Sequence, residues 1–134
     1  MSVQDVIEVH PRPIGVDRNV LLRCIDDCFE CAGTCTSCAD ADLGEPDVAE
    51  MVRCIRLCLD CADLCEATGR IVTRQTEPDL GLVAATLEAC LRACRVCAEE
   101  CERHAEHHQH CRVCADACRS CEQACDAVLS VLAA

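Results

Sequence analysis

Cysteine is the residue type in this sequence whose number and spacing point most directly to chemistry. Of the 134 residues, 18 are cysteine, and within each of four groups the spacing alternates between three and four residues. Soft thiolate ligands select Cu(I), Zn(II) or iron–sulfur centres, so the pattern predicts that every cysteine of the four groups binds metal. The four groups are Cys24, Cys28, Cys31, Cys35 and Cys38; Cys54, Cys58, Cys61 and Cys65; Cys90, Cys94, Cys97 and Cys101; and Cys111, Cys114, Cys118, Cys121 and Cys125.

Charge and coordination number discriminate between the soft metals. A tetrahedral Zn(II) site takes four ligands, so 18 thiolates would form about four sites and leave much negative charge buried. Cu(I) accepts two or three thiolates, and bridging sulfurs bring the ratio near one Cu(I) per cysteine, which leaves the core almost neutral. We therefore expect storage of many Cu(I) ions by core thiolates, with a zinc or mixed-metal thiolate buffer as the alternative.

Other uses of cysteine fit the pattern less well. Disulfides need unique pairs, whereas an unbroken stripe of cysteines offers no unique pairing. An iron–sulfur cluster needs four ligands around one point, and a purely apolar core would pack better with leucine, valine and alanine. An enzyme needs one or two cysteines set apart from the rest, or a Ser/His/Asp constellation, and the sequence contains neither. We expect no catalysis.

The cysteine spacing also identifies the elements that must position these side chains. Steps of three and four place every cysteine of a group on one stripe of an α-helix. Pro46 suits a first helical position, and Thr76 reads as the N-cap before another helix. The sequence thus predicts an all-α fold, an antiparallel up-down four-helix bundle with a cysteine-lined core. The predicted divisions are an extended N-terminal arm (1–16) and a bundle (17–134) with helices at roughly 17–42, 46–74, 78–104 and 107–132.

Composition and charge exclude several classes of function. The chain has 24 acidic and 12 basic residues, one Phe, and no Tyr or Trp. An acidic chain without a basic cluster or stacking aromatics is unsuited to nucleic acid. No apolar run approaches the roughly 18–20 residues of a membrane span, and the N-terminus lacks the basic and apolar regions of a secretory signal. We expect a cytoplasmic protein with no nucleic-acid or membrane partner.

The two ends of the predicted bundle differ in chemistry. One end continues the cysteine stripes with apolar residues, which predicts a hydrophobic plug. The other brings together Met51, His104 and His108, and methionine and histidine both bind copper. We predict that metal enters there, with His104 as a further ligand and with Met51 and His108 as entrance residues. The side chains predicted to be solvated are His10, His107 and His110. Asp42 continues the cysteine stripe at this same end, with ordinary surface charge as the alternative interpretation.

Apolar residues also lie away from the cysteine stripe on the first two predicted helices. An outward apolar face of this kind predicts contact with another copy of the chain. We therefore expect a homo-oligomer assembled through helices one and two. The residues of this face are Leu22, Ile25, Phe29, Val52, Ile55 and Leu59.

The C-x3-C-x2-C-x3-C runs give residues 17–132 a resemblance to a known family. The sequence resembles the bacterial copper storage proteins and, without a leader peptide, looks like their cytosolic class. The resemblance implies tetramers of bundles, many Cu(I) ions per subunit bound mainly by cysteine pairs, and uptake at the end that holds histidine and methionine. It carries over to all 18 cysteines and to Met51, His104 and His108. The runs begin at Cys24, Cys54, Cys90 and Cys114.

Overall fold

The architecture is a bundle of four long helices preceded by one short helix. A computed structural model describes residues 2–133, and within that range the regular structure is helical throughout. Helix α2 packs against α3 and α5, and α4 packs against the same two helices, so the predicted all-α four-helix bundle is confirmed. The elements are α1 (Val3–Glu8), α2 (Arg18–Leu43), a 3-10 turn (Val48–Met51), α3 (Val52–Thr73), α4 (Leu80–His104) and α5 (Gln109–Ala133).

Acidic residues set where two of the long helices begin. The Asp17 carboxylate accepts hydrogen bonds from the first free N–H groups of α2. At the start of α4, the Asp79 carboxylate accepts a hydrogen bond of 2.9 Å from the N–H of Leu82. The N-cap of α4 is therefore Asp79, and the prediction of Thr76 is wrong. Glu77, with φ of 51°, keeps the intervening backbone out of the helical region.

The second predicted helix begins later than the position of Pro46 indicated. The chain forms the 3-10 turn first, and α3 starts at Val52 instead of near residue 46. Neither the 3-10 turn nor α3 has a side-chain hydrogen bond at its N-cap. Pro46 lies in the connection before the 3-10 turn and not in the first turn of a helix.

The N-terminal arm also departs from the prediction. Residues 1–16 were expected to be extended, yet Val3–Glu8 form α1. Ser2 and Asp5 form a reciprocal capping box at its start, and Ile7 is buried against the rest of the molecule. The capping box and the burial of Ile7 stabilise this short helix. The two prolines that follow it had favoured the prediction of an extended arm.

Cysteine fills the centre of the bundle. All 18 cysteines are buried and none forms a disulfide. Apolar side chains close one end of this column, as predicted, and they include Leu21, Leu87 and Val128. None of the described helices has the length and hydrophobicity needed to cross a membrane.

The outward apolar face is only partly as predicted. On α2, Ile25 is completely buried and Leu22 nearly so. Phe29 is half-buried against α3, where its ring lies directly over Gly69. The prediction that these three residues point outward is therefore wrong, whereas Val52 on α3 is exposed.

Candidate metal centre

The thiols form a connected network along the bundle axis. Within α2, the sulfurs of Cys31 and Cys35 are 3.8 Å apart, and across the core those of Cys35 and Cys118 are 3.6 Å apart. Cys58 lies 3.8 Å from Cys114 on α5. Two thiolates that share one tetrahedral ion at about 2.3 Å are themselves separated by about 3.8 Å. The spacing of these thiols is thus that of pairs that share a metal ion.

The thiols also group into overlapping sets of four. In each set the sulfurs all lie within 4.8 Å of one another, and Cys31, Cys35, Cys118 and Cys121 each belong to at least two sets. Shared membership favours a continuous chain of bridged ions over separate sites. Five of the sets are Cys28/Cys90/Cys121/Cys125, Cys31/Cys65/Cys94/Cys121, Cys31/Cys35/Cys61/Cys118, Cys35/Cys97/Cys114/Cys118 and Cys38/Cys54/Cys58/Cys101.

Hydrogen bonds between the thiols influence their ionisation. Those that involve Cys125 and Cys28 lower the pKa of Cys24 to about 5, although burial opposes the shift. Hydrogen bonding with Cys114, together with burial, raises the pKa of Cys118. Each metal ion that binds displaces protons from its ligands.

The three predicted entrance residues lie at the end where α2 and α4 finish. Met51 is completely buried one helical turn before Cys54. His104 Nε2 lies 2.8 Å from Glu100 Oε2. His108 lies between two carboxylates, and its hydrogen bond to Asp47 raises its pKa. The polar contacts described for both imidazoles go to carboxylates, so a copper-ligand role for His104 stays a prediction.

Two further residues at this end contact the thiols. His110 Nδ1 is 3.4 Å from Cys38 Sγ and 3.7 Å from Cys111 Sγ. Asp42 is completely buried, and its Oδ1 accepts a hydrogen bond from Cys111 at 3.6 Å. The expectation that His110 is solvated is therefore wrong, whereas Asp42 faces the column, as its place on the stripe predicts. Asp42 continues the stripe four residues after Cys38, and its alternative interpretation as surface charge is wrong.

The buried carboxylate of Asp42 is electrostatically unusual. Burial, followed by hydrogen bonding with Cys54, raises its pKa to about 7. Its Oδ1 lies 3.6 Å from His110 Nδ1, while its Oδ2 has no hydrogen-bond partner among the described residues. An incompletely satisfied carboxylate next to two thiols and an imidazole provides an additional oxygen donor at the mouth of the column.

Comparison with known proteins agrees with the geometry. The profile of the copper storage protein family matches residues 17–130. Comparison with curated proteins gave no match. Among solved structures, the copper storage protein Ccsp from Streptomyces lividans, loaded with 10 copper equivalents, is 50% identical with a TM-score of 0.95. That alignment covers 97% of this chain and 99% of the other.

A second solved structure is a cytosolic copper storage protein from Streptomyces lividans with five coppers. It is 52% identical and has a TM-score of 0.82, and the alignment covers 84% of this chain and 93% of the other. A Ccsp variant of the same organism with a histidine replaced by alanine is also 52% identical, with a TM-score of 0.87 and coverage of 88% and 98%. The profile match covers most of the sequence, and the chain therefore belongs to the copper storage protein family.

Proposed function

We propose that this protein stores Cu(I) in the cytoplasm and holds many ions along its column of thiols. The observation that carries the proposal is the overlap of the four-cysteine sets, in which single sulfurs belong to two sets. Family membership and the copper-loaded relatives support the choice of metal, and nothing in these comparisons supports the zinc alternative. Storage, and not catalysis, is the role that this arrangement serves.

Charge balance explains how a buried column can fill with metal. Each thiol that binds Cu(I) releases one proton, so one positive charge replaces another and the core stays near neutral. We infer a capacity near one Cu(I) per cysteine on this basis. Copper is taken up at the mouth that contains Met51, His104 and His108, because apolar side chains close the opposite end.

Capacity is the measurement that tests the proposal. Reduced apo protein is titrated with Cu(I) against a chromophoric chelator, and we expect saturation near the 18 equivalents that the thiols allow. Saturation near four equivalents would contradict a continuously filled column. Replacement of Cys31 and Cys118 together with Ala should lower the capacity by about two, with circular dichroism as the control for folding. A parallel Zn(II) titration compares the two metals directly.

We further propose that the protein assembles into a homo-tetramer. Val52 and Leu59 on α3 are 64% and 44% exposed, and Leu43 at the end of α2 is 62% exposed. These apolar side chains support a contact surface centred on α3, with α2 contributing at its C-terminal end. The proposed partners are therefore copper ions and further copies of the same chain.

A further inference from the structure

An apolar cavity lies at the closed end of the bundle, opposite the mouth of the thiol column. Its volume is about 310 Å³, and its walls come from the segment before α2, the connection between α3 and α4, and the last turns of α5. Ten of its twelve lining residues are aliphatic, proline or glycine, and the other two are Arg74 and Gln75. We call this cavity the closed-end cleft.

The size and lining of the closed-end cleft are those of a small-molecule site. Pockets that bind small organic ligands have volumes of roughly 300–1,000 Å³ and are mostly apolar, with a few polar groups that fix the orientation of the ligand. None of the described residues that line the cleft is a cysteine, a histidine or an acid. The cleft is therefore suited to an organic ligand and not to a metal ion.

Aliphatic side chains separate the closed-end cleft from the thiols. Leu21 and Val128, which close the end of the column, are buried lining residues of the cleft, and Val72 is a third. Val83 and Leu132 are half-buried and add to the apolar wall. An alkyl chain in the cleft would cover these side chains and remove their apolar surface from water.

Arg74 gives the closed-end cleft a charge opposite to that of the molecule. The whole chain has 24 acidic and 12 basic residues, yet the single charged residue among the described lining is this arginine. Its side chain is exposed, and no ion pair joins it to an acidic side chain in the part of the chain that the structure describes. The guanidinium is therefore available to a carboxylate, which it recognises through paired N–H donors.

Gln75 provides a second polar group beside Arg74. Its Nε2 donates a hydrogen bond of 2.8 Å to the backbone carbonyl of Val72, which holds the amide in place next to the cleft. A side-chain amide has two N–H donors, so one remains for a ligand. The arginine and the glutamine together place donors for an anion next to an apolar cavity.

We propose that the closed-end cleft binds a small amphipathic carboxylate, such as a medium-chain alkanoate. The alkyl chain packs against Leu21, Val83 and Leu132, and the carboxylate pairs with Arg74. Binding requires no copper, because none of the described lining residues carries a thiol. An alkanol of equal length fills the cavity without the ion pair, and an alkylammonium ion is repelled by the arginine.

Octanoate is the probe for this site. The reduced, metal-free full chain, labelled with ¹⁵N, is titrated with sodium octanoate while backbone amide signals are followed by NMR. We expect saturable shifts that are largest around the cleft, including the amides of Gln75 and Val83, and a weaker effect from octylammonium. The absence of saturable shifts up to about 10 mM, or shifts centred elsewhere on the molecule, would overturn the inference.

A pair of arginine variants tests how the carboxylate is recognised. Arg74→Gln should weaken the affinity for octanoate by about fivefold, the upper range for an exposed ion pair, and leave that for octanol unchanged. Arg70→Gln is the matched control, because Arg70 is an exposed arginine of α3 outside the cleft lining. Unchanged octanoate affinity in Arg74→Gln, or equal losses in both variants, would overturn the inference.

Filling the closed-end cleft tests where the alkyl chain lies. Val83→Phe places a larger side chain in the wall and should abolish the binding of both octanoate and octanol. Leu132→Phe repeats the test if Val83→Phe lacks native circular dichroism. Octanoate affinity equal to that of the wild type in a folded variant of this kind would overturn the inference.

Discussion

At the scale of single residues, the contact between Phe29 and Gly69 sets the distance between α2 and α3. A Cβ atom at Gly69 would lie 2.9 Å from two atoms of the Phe29 ring, which is shorter than normal van der Waals contact. Gly69→Ala should therefore force the ring or the helices apart and lower the free energy of unfolding by about 1–3 kcal/mol. Urea unfolding of the apo protein measures this change.

Gly33→Ala is the matched control for that substitution. Gly33 also lies inside a helix, but a Cβ there would meet nothing within 4 Å. The alanine should raise stability by about 0.5–1 kcal/mol through helix propensity alone. The close-approach explanation fails if Gly69→Ala is as stable as Gly33→Ala.

Entrance residues should control the rate of copper uptake more than its extent. The variant that tests this combines Met51→Ala with His104→Ala. It removes two copper-binding side chains from the mouth and leaves all 18 thiols in place. Stopped-flow loading with Cu(I) should be slower, and the final capacity should stay within about two equivalents of wild type because the column is intact. The exposed His107→Ala is the control, and equal rates in all three proteins would contradict this entrance.

The sequence predicted the positions of the cysteines well and those of the mouth residues less well, for a physical reason. A repeat of three and four residues fixes the helical face of every cysteine in a group, independently of where each helix ends. Asp42 and His110 lie at helix ends, where the face depends on the turn, and the turn before α5 contains neither Gly nor Pro. The inward orientation of His110 therefore had no signal in the local sequence.

At the scale of elements, Arg119 on α5 connects its helix to α4 through Glu102, and it also pairs with Glu122 on its own helix. It donates hydrogen bonds to Glu102 at 2.9 and 3.0 Å and to Glu122 at 3.0 Å. The hydrogen bond from Arg119 holds the pKa of Glu102 below its usual value. A carboxyl group with a depressed pKa in the folded state stabilises the protein above its unfolded pKa, near about 4.3, and this contribution disappears as the pH falls through the folded pKa.

Arg119→Gln should therefore destabilise the bundle in a pH-dependent way. At neutral pH we expect a loss of about 0.5–1 kcal/mol, since the pair is partly exposed and screened by solvent. The difference from wild type should shrink as the pH falls below about 4. Urea unfolding across this pH range measures the effect, with Arg56→Gln as the control because Arg56 pairs with Asp60 within one helix. A pH-independent difference would contradict the ionic origin.

The helices could be predicted from the sequence, but their ends could not be placed as well. The long helices follow from the cysteine repeat, whereas their ends depend on caps that compete within a few residues. Asp79 prevails over Thr76 because the backbone at Glu77 has a positive φ, and α1 forms because Ile7 finds a buried site. The burial of Ile7 depends on tertiary structure, which no short stretch of sequence contains.

At the scale of the whole molecule, the cysteine-filled core explains why the chain has so few large apolar residues. The chain has a single Phe and neither Tyr nor Trp, so cysteine occupies the volume that such side chains would fill. A protonated thiol is a small, weakly polar group, and a core of such groups is buried without net charge. When Cu(I) replaces protons, the charge of the core again stays near zero, so the same bundle accommodates the empty and the filled states.

The exposed apolar face predicts how the molecules assemble. Leu59→Arg places a charge at the centre of the α3 surface. Contact with another copy would then remove water from a charge that has no partner, which is unfavourable. We expect wild-type protein to be tetrameric in light scattering coupled to size-exclusion chromatography, and Leu59→Arg to dissociate. Val113→Arg on α5 is the matched control, since Val113 is similarly exposed at 56% but lies outside the proposed surface. A monomeric wild type, or dissociation by Val113→Arg alone, would contradict assembly through α3 and the end of α2.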